Sequence, residues 1–188
     1  GVFVMGLRGV YDSIAESWSE LKTEPLPFVT EFLEGKSGSL LVSGCGAGRH
    51  STFASEVGFE VTGFDFSERM IELAREKDPA SKCLVADARC LPFKSELFDY
   101  SLSVAVLHHL RPPDVLLSLR ELCRVTNGES LVSVWNHPSM RGEQMIKWGG
   151  EQRYYYLYDE VEFESLVHQV FSKVSRVSDE LNYVYIVE

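Results

Sequence analysis

The chain has 188 residues, 45% of them hydrophobic and 24% charged, with a net charge of −10. Those proportions suit one soluble globular domain with a substantial core, and no apolar run approaches the ~20 residues of a membrane span. The acidity argues against a broad nucleic-acid-binding face, and Cys45, Cys83, Cys90 and Cys123 form neither a C-x-x-C pair nor a metal-ligand spacing, so free thiols in a reducing cytoplasm and no metal site are expected.

The first ten residues are mildly apolar and carry no signal-peptide cleavage pattern. Apolar side chains at helical spacing then run from Tyr11 through Ile14 and Ala15 to Trp18. Lys22-Thr23-Glu24-Pro25-Leu26-Pro27 breaks that pattern, and its prolines open a second helix through Phe28, Val29, Phe32 and Leu33. In open α/β folds such an extension often covers the crevice at the strand ends, so residues 10–35 are expected to form a lid.

Leu40-Leu41-Val42-Ser43 runs into Gly44-Cys45-Gly46-Ala47-Gly48, and a helical segment follows. The order reads as strand, tight turn, helix, in which glycines supply positive φ and let a ligand lie against bare backbone. A dinucleotide loop, G-x-G-x-x-G, would place its third glycine where Arg49 stands. The tighter G-x-G-x-G spacing resembles the S-adenosylmethionine loop of class I methyltransferases.

Further along, residues 60–65 read as a second strand ending in Asp65, 21 residues after Gly44, where a carboxylate can accept both ribose hydroxyls. Ser67 suits the N-cap of a helix over 68–77. Residues 82–87 read as a third strand ending in Asp87, an acceptor for the adenine amino group. A fourth strand over 98–109 runs into His108-His109. Each acid taken singly reads first as a solvated strand end or a helix N-cap, and the alternative for the His pair is one packed ring and one exposed ring. The order of glycine loop, acid, acid and His-His is what favours a cofactor crevice.

A helix over 113–125 capped by Asn127-Gly128, a strand over 131–135, a loop over 136–152, a helix over 161–170 and an antiparallel hairpin at 174–177 and 183–187 complete the reading. Arg141, Lys147 and Arg153 make a thin basic stripe beside Met145 and Trp148, which are expected on an exposed partner surface. Tyr154, Tyr155, Tyr156 and Tyr158 read first as core or interface aromatics. The alternation predicts an α/β, three-layer Rossmann-like sandwich, with a mostly parallel seven-stranded sheet and an antiparallel C-terminal hairpin, spanning 1–188 as one domain.

One set of segments comprises Tyr11-Asp12-Ser13-Ile14-Ala15, the glycine loop through His50, Ala86-Asp87-Ala88-Arg89 with Leu91-Pro92-Phe93, and Ser103 through Leu110. A second comprises Val134-Trp135, Arg153-Tyr154-Tyr155-Tyr156-Leu157-Tyr158 and Asn182-Tyr183. Together they resemble the tRNA wobble-uridine carboxymethyl methyltransferases, including the methyltransferase domain of the AlkB-homologue enzymes. The resemblance covers nearly the whole chain; the His-His segment, R-Y-Y-x-L-Y and N-Y are its family-specific part. It implies S-adenosyl-L-methionine as cofactor, the anticodon loop of tRNA as substrate and a small zinc-binding activator subunit at the sheet edge, without a membrane.

The resemblance also implies that Tyr11, Gly44, Cys45, Gly46, Gly48, Asp65, Phe66, Asp87, Ala88 and Val104 bind the cofactor. Lys22, His108, His109, Arg153 and Tyr154 would face the substrate. Three positions depart from the pattern: Val42 stands where relatives have an acid, Tyr156 where they have a histidine, and Leu26 replaces the tryptophan of W-P. The expected activity is esterification of a carboxylate, with Arg153 or Lys22 neutralising it and a histidine orienting it. Competing readings are a small-molecule methyltransferase and a cofactor-binding scaffold without catalysis.

Overall fold

In a computed structural model, residues 2–188 are described, with side chains from Gly6 onward. Helix α1 (Val2–Leu21) and helix α2 (Pro27–Leu33) precede the first strand, β1 (Ser39–Ser43). There follow α3 (Arg49–Glu56), β2 (Glu60–Asp65), α4 (Glu68–Lys77), β3 (Lys82–Val85) and β4 (Tyr100–Val104). After a single 3₁₀ turn at Leu107–His109 come α5 (Pro112–Val125), β5 (Ser130–Trp135), β6 (Gly142–Trp148), β7 (Glu151–Leu157), α6 (Glu160–His168), β8 (Val174–Val177) and β9 (Asn182–Val187).

Seven strands form one sheet in the order β3-β2-β1-β4-β5-β9-β8. Neighbours from β3 to β5 are parallel, whereas β9 and β8 are antiparallel additions. The interior strands carry apolar side chains on both faces, as a sheet covered by helices on both sides requires. On one face Leu41, Phe64, Val132 and Tyr185 pack with Leu119, Leu122 and Phe163 from α5 and α6. On the other, Leu40, Val42, Leu102 and Val184 pack with Phe28, Val29 and Phe32 of α2 and Ala54 of α3. The chain winds one way from β1 to β3 and the other way through β4 and β5. A crevice therefore opens where the order reverses, beyond the carboxyl ends of β1 and β4.

Several expected boundaries move, each for a local reason. β4 stops at Val104 because Ala105 takes φ +59, and the His pair sits on the 3₁₀ turn beyond it, closed by the His109 N–H bonding Val106 O. β3 stops at Val85 because the Asp87 carboxylate accepts the Arg89 N–H and bends the chain. α5 is not capped by Asn127-Gly128. The Asn127 N–H goes to Phe98 O, and Gly128 lies so close to Asp99 O that a Cβ would come within 2.6 Å.

The largest difference is the stretch 136–152, expected as loop. Most of it is β6 and the start of β7, a two-stranded hairpin in register from Gly142↔Leu157 to Trp148↔Glu151. Its two-residue turn is Gly149-Gly150, both at positive φ (59° and 89°), which suits the twist of a tight hairpin. Trp148 is half-buried rather than exposed, whereas Met145 is exposed as expected. α2 also departs from the lid reading: its apolar side chains join the sheet core, and the crevice is flanked by α1 and by Lys22 and Leu26.

Candidate active site

The crevice is a cavity of about 720 Å³ lined from four directions. The glycine loop supplies Gly44, Cys45 and Gly46, and the ends of β2 and β3 supply Asp65, Phe66, Asp87 and Ala88. Val104, His108 and His109 come from the end of β4 and the turn after it. Tyr11 and Trp18 come from α1, Lys22 follows it, and Trp148, Arg153, Tyr154 and Tyr155 come from the hairpin. Of the residues expected at the site, Gly48 alone does not line the cavity. Its φ of +90 starts α3 and its bare Cα faces Ala74 of α4, so it serves the turn and the helix packing.

The strand-end half is built from backbone. Asp65 is buried at the end of β2, and its two carboxylate oxygens accept the N–H groups of Gly46 and Ser67, both at 3.0 Å. Burial pushes its carboxyl up to about 6, against the lowering effect of those bonds. Ser67 caps α4 as expected, accepting the Met70 N–H. Asp87 pairs with Arg89 at 2.6 Å, which holds its carboxyl below the usual range, and Arg89 also reaches Asp114 at 3.3 Å.

The opposite half is built from side chains distant in sequence. His109 Nδ1 lies 2.9 Å from the Tyr154 carbonyl oxygen and Nε2 lies 2.7 Å from the Tyr11 hydroxyl. A carbonyl only accepts, so Nδ1 carries the proton and Nε2 accepts from Tyr11. The Tyr11 oxygen is then left to accept from Arg153 Nη1 at 3.4 Å. Burial pushes the His109 imidazole down to about 4, which keeps this tautomer neutral. His108 is neutral too, driven well below the usual range by burial. Its Nδ1 accepts the Trp135 N–H at 3.0 Å, leaving the proton on Nε2.

Arg153 is 5% exposed. Its guanidinium lies over three rings, with centroids at 5.0 Å (Trp18), 5.2 Å (Tyr155) and 5.5 Å (Trp148). Its Nε finds no hydrogen-bond partner, and it joins none of the ion pairs among the described residues. A buried guanidinium without a carboxylate is costly unless a ligand supplies one.

Strand alternation puts Arg153 and Tyr155 on one face of β7 and Tyr154 on the other. Tyr154 lines the cavity, but its side chain lies apart from the Arg153 cluster: its hydroxyl bonds Glu143 at 3.3 Å, its ring lies under Arg111, and its carbonyl holds His109. Lys22 is exposed, with Nζ 5.5 Å from the Trp18 ring. Arg141 does not line the cavity and is held by His137 O, Met140 O and Tyr183.

Sequence reasoning missed Trp18, Trp148 and Tyr155. Trp18 was findable, seven residues after Tyr11 on one helix face. The other two required the hairpin, whose Gly-Gly turn between alternating segments was the available signal.

A doubly wound sheet with a glycine loop, two strand-end acids and a covered crevice defines a nucleotide-cofactor enzyme class. Within it, the methyltransferase-domain family model matches residues 41–134, half of the chain, and the chain belongs to that family. It is 35% identical over 159 residues to the tRNA (carboxymethyluridine(34)-5-O)-methyltransferase of Saccharomyces cerevisiae, an alignment covering 74% of this chain and 54% of that protein. The Arabidopsis thaliana protein of the same name is 35% identical over 144 residues, with 74% and 35% covered. The chain thus spans about half the length, or less, of these curated relatives.

Among solved structures, 1,6-didemethyltoxoflavin-N1-methyltransferase from Burkholderia thailandensis, with bound 1,6-didemethyltoxoflavin and S-adenosylhomocysteine, superposes with a TM-score of 0.74. It is 20% identical, with 97% of this chain and 87% of that one covered. A SAM-dependent methyltransferase from Methanosarcina mazei gives 0.73 at 19% identity, covering 87% and 97%. These two share the fold.

Proposed function

We propose that the chain is an S-adenosyl-L-methionine-dependent methyltransferase domain that esterifies the carboxylate of a carboxymethyl-type wobble uridine in tRNA. The observation that carries the reading is Arg153, a buried guanidinium without an internal carboxylate, held among three rings at the cavity wall. The cavity also carries six basic side chains against three acidic ones, within a chain of net charge −10. Such a wall recruits an anionic nucleophile rather than a neutral or cationic one.

The residues present fit the cofactor. Asp65 and Asp87 offer carboxylate acceptors at the ends of β2 and β3, and Ala88 and Val104 give apolar contact. Gly46 presents bare backbone at φ +53, where a Cβ would meet nothing nearer than Met70 Sδ at 4.0 Å. When bound, the cofactor supplies a methyl group activated on a sulfonium, which a carboxylate oxygen takes in an in-line displacement.

A carboxylate with pKa near ~4 is already ionised at neutral pH, so no general base is needed. The neutral His109 suits that chemistry, since it is locked as a positioning group between Tyr11 and the Tyr154 carbonyl rather than poised to remove a proton. Arg153 would fork onto the carboxylate and align it, with Tyr11 fixing the guanidinium. α1 would act as the lid that excludes water, docked through Asp12 on Ser67 and Arg69 and through Glu16 on Arg69. Tyr11 and Trp18 ride on it, so closing the lid also completes the anion site.

Nothing among the described residues gathers three or more metal-ligating side chains, and the zinc of this reading is that of a separate activator subunit, which the family resemblance alone implies. No helix among the described residues is long and apolar enough to cross a membrane. A second reading, a small-molecule carboxylate as acceptor, is favoured by the acidic surface.

The test is activity with radiolabelled S-adenosylmethionine on bulk tRNA, with and without a small zinc-binding subunit, followed by nucleoside analysis. An alkali-labile methyl ester on a modified uridine, with transfer falling steeply as salt rises, is expected. Cofactor binding with label on no RNA would replace the tRNA reading with the small-molecule one.

A further inference from the structure

Arg49 follows the glycine loop directly and opens α3. Its side chain is partly buried and lines the cavity, yet no hydrogen bond or ion pair holds it among the described residues. Desolvation by burial lowers the guanidinium's affinity for a proton. The neighbour that follows offers no compensation. His50 is buried, its Nε2 faces the Leu26 N–H at 3.4 Å, and burial pushes its imidazole down to about 3. At the end of β1, Val42 is buried in the apolar core and brings no charge. The glycine-loop side of the cavity thus contains a guanidinium whose counterion the chain does not supply.

Resting on the cofactor reading above, we infer that Arg49 binds the α-carboxylate of the cofactor's amino-acid end, a separate anion subsite from that of Arg153. The two guanidinia occupy different parts of the wall. Arg153 is fixed by Tyr11 and the ring cage of the hairpin and α1, on the side of His109. Arg49 adjoins Gly46 and Ala47, on the loop over which the cofactor chain would pass. The reaction brings two carboxylates into the cavity, one on the nucleophile and one on the cofactor, and each guanidinium has one to meet. Arginine is suited to this place because it stays charged when partly desolvated and grips a carboxylate with two parallel N–H bonds.

The experiment measures binding of S-adenosylhomocysteine and of 5′-methylthioadenosine, which lacks the amino-acid end, to the intact chain by calorimetry. Wild type is expected to bind S-adenosylhomocysteine more tightly. Arg49→Ala should weaken S-adenosylhomocysteine by about 10- to 100-fold, leave methylthioadenosine unchanged and so erase the preference. Arg49→Lys, keeping the charge without the fork, should fall between.

Equal losses for both ligands would mean that Arg49 only shapes the loop and would overturn the assignment. An unchanged S-adenosylhomocysteine affinity would overturn it too, most directly if Arg49→Ala weakened tRNA binding instead, since the guanidinium would then serve a phosphate. Failure of wild type to bind either ligand is a different result, because it removes the cofactor reading on which the inference rests.

Discussion

The two halves of the cavity are made differently. The strand-end half is nearly local: Gly44 to Arg49, Asp65 to Ser67, and Asp87 to Arg89 are short stretches fixed by backbone N–H groups that donate to a strand-end aspartate, Gly46 and Ser67 to Asp65 and Arg89 to Asp87. The covering half is long-range. Tyr11 meets His109 across 98 positions and Arg153 across 142, and Trp18 meets Trp148 edge-to-face with ring centroids 5.0 Å apart. The first half depends on a turn geometry that the sheet enforces. The second depends on three distant segments arriving together, so it can be weakened without disturbing the first.

The largest expected effect separates the halves directly. Arg153→Met keeps the stem among the rings and removes the fork, and it should lower kcat/KM by about 10²- to 10³-fold. S-adenosylhomocysteine affinity should stay within about twofold, because the strand-end half is intact. A parallel loss of cofactor affinity in the same preparation would show that the halves are one unit.

Acidification tests the covering half through stability. His109 titrates near 4 when folded against an ordinary 6.5, so the unfolded chain binds the extra proton between those values. That stability is therefore complete above about 6.5 and is lost as pH falls towards 4, at about 1.4 kcal/mol per pH unit, on the order of 3 kcal/mol in all. His50 and His108 act in the same direction. Asp65 acts oppositely, since its folded value of about 6 lies above the ordinary 3.8, and it offsets one histidine between those limits. Denaturant midpoints at pH 7.5, 6.0 and 5.0 should fall progressively, and His109→Gln should flatten the slope. A profile independent of pH would mean that the imidazole is not held neutral in the fold.

The same division explains what could be read from the residues. The glycine loop, the Ser67 cap and the seven-stranded sheet were legible because each is written within about ten residues or in a period-two pattern. The hairpin was not, because Gly142, Gly149 and Gly150 with Asn136 and Pro138 give the stretch a loop-like composition, although the paired glycines set its turn. Without the hairpin, strand alternation could not be applied to Arg153, Tyr154 and Tyr155, and the placement of Tyr155 on the same strand face as Arg153 stayed hidden. The ring cage and the Tyr11–His109 bond join segments whose pairing only the folded sheet decides. The extra turn that carries His108 and His109 depends on positive φ at Ala105, which an alanine does not advertise.

Tyr11→Phe is the next smaller step. It removes one hydroxyl and leaves His109 Nε2 a buried acceptor without a donor, while Arg153 Nη1 loses the Tyr11 oxygen as its acceptor. A loss of about 1–2 kcal/mol in thermal stability and about tenfold in kcat is expected. An unchanged kcat with lowered stability would reduce Tyr11 to a packing role.

The smallest effect bears on how α1 and the hairpin communicate. Trp18 and Trp148 flank Arg153, one from α1 and one from the hairpin, and touch each other, so their coupling measures how far closing α1 builds the anion site. A double-mutant cycle with Trp18→Leu and Trp148→Leu should give an interaction of about 0.5–1.5 kcal/mol, appearing as a few-fold rise in acceptor KM for the first substitution and little more for the second. Strict additivity would mean that each ring holds the guanidinium independently. α1 would then add Trp18, Tyr11 and water exclusion to the site without gating the part that the hairpin builds.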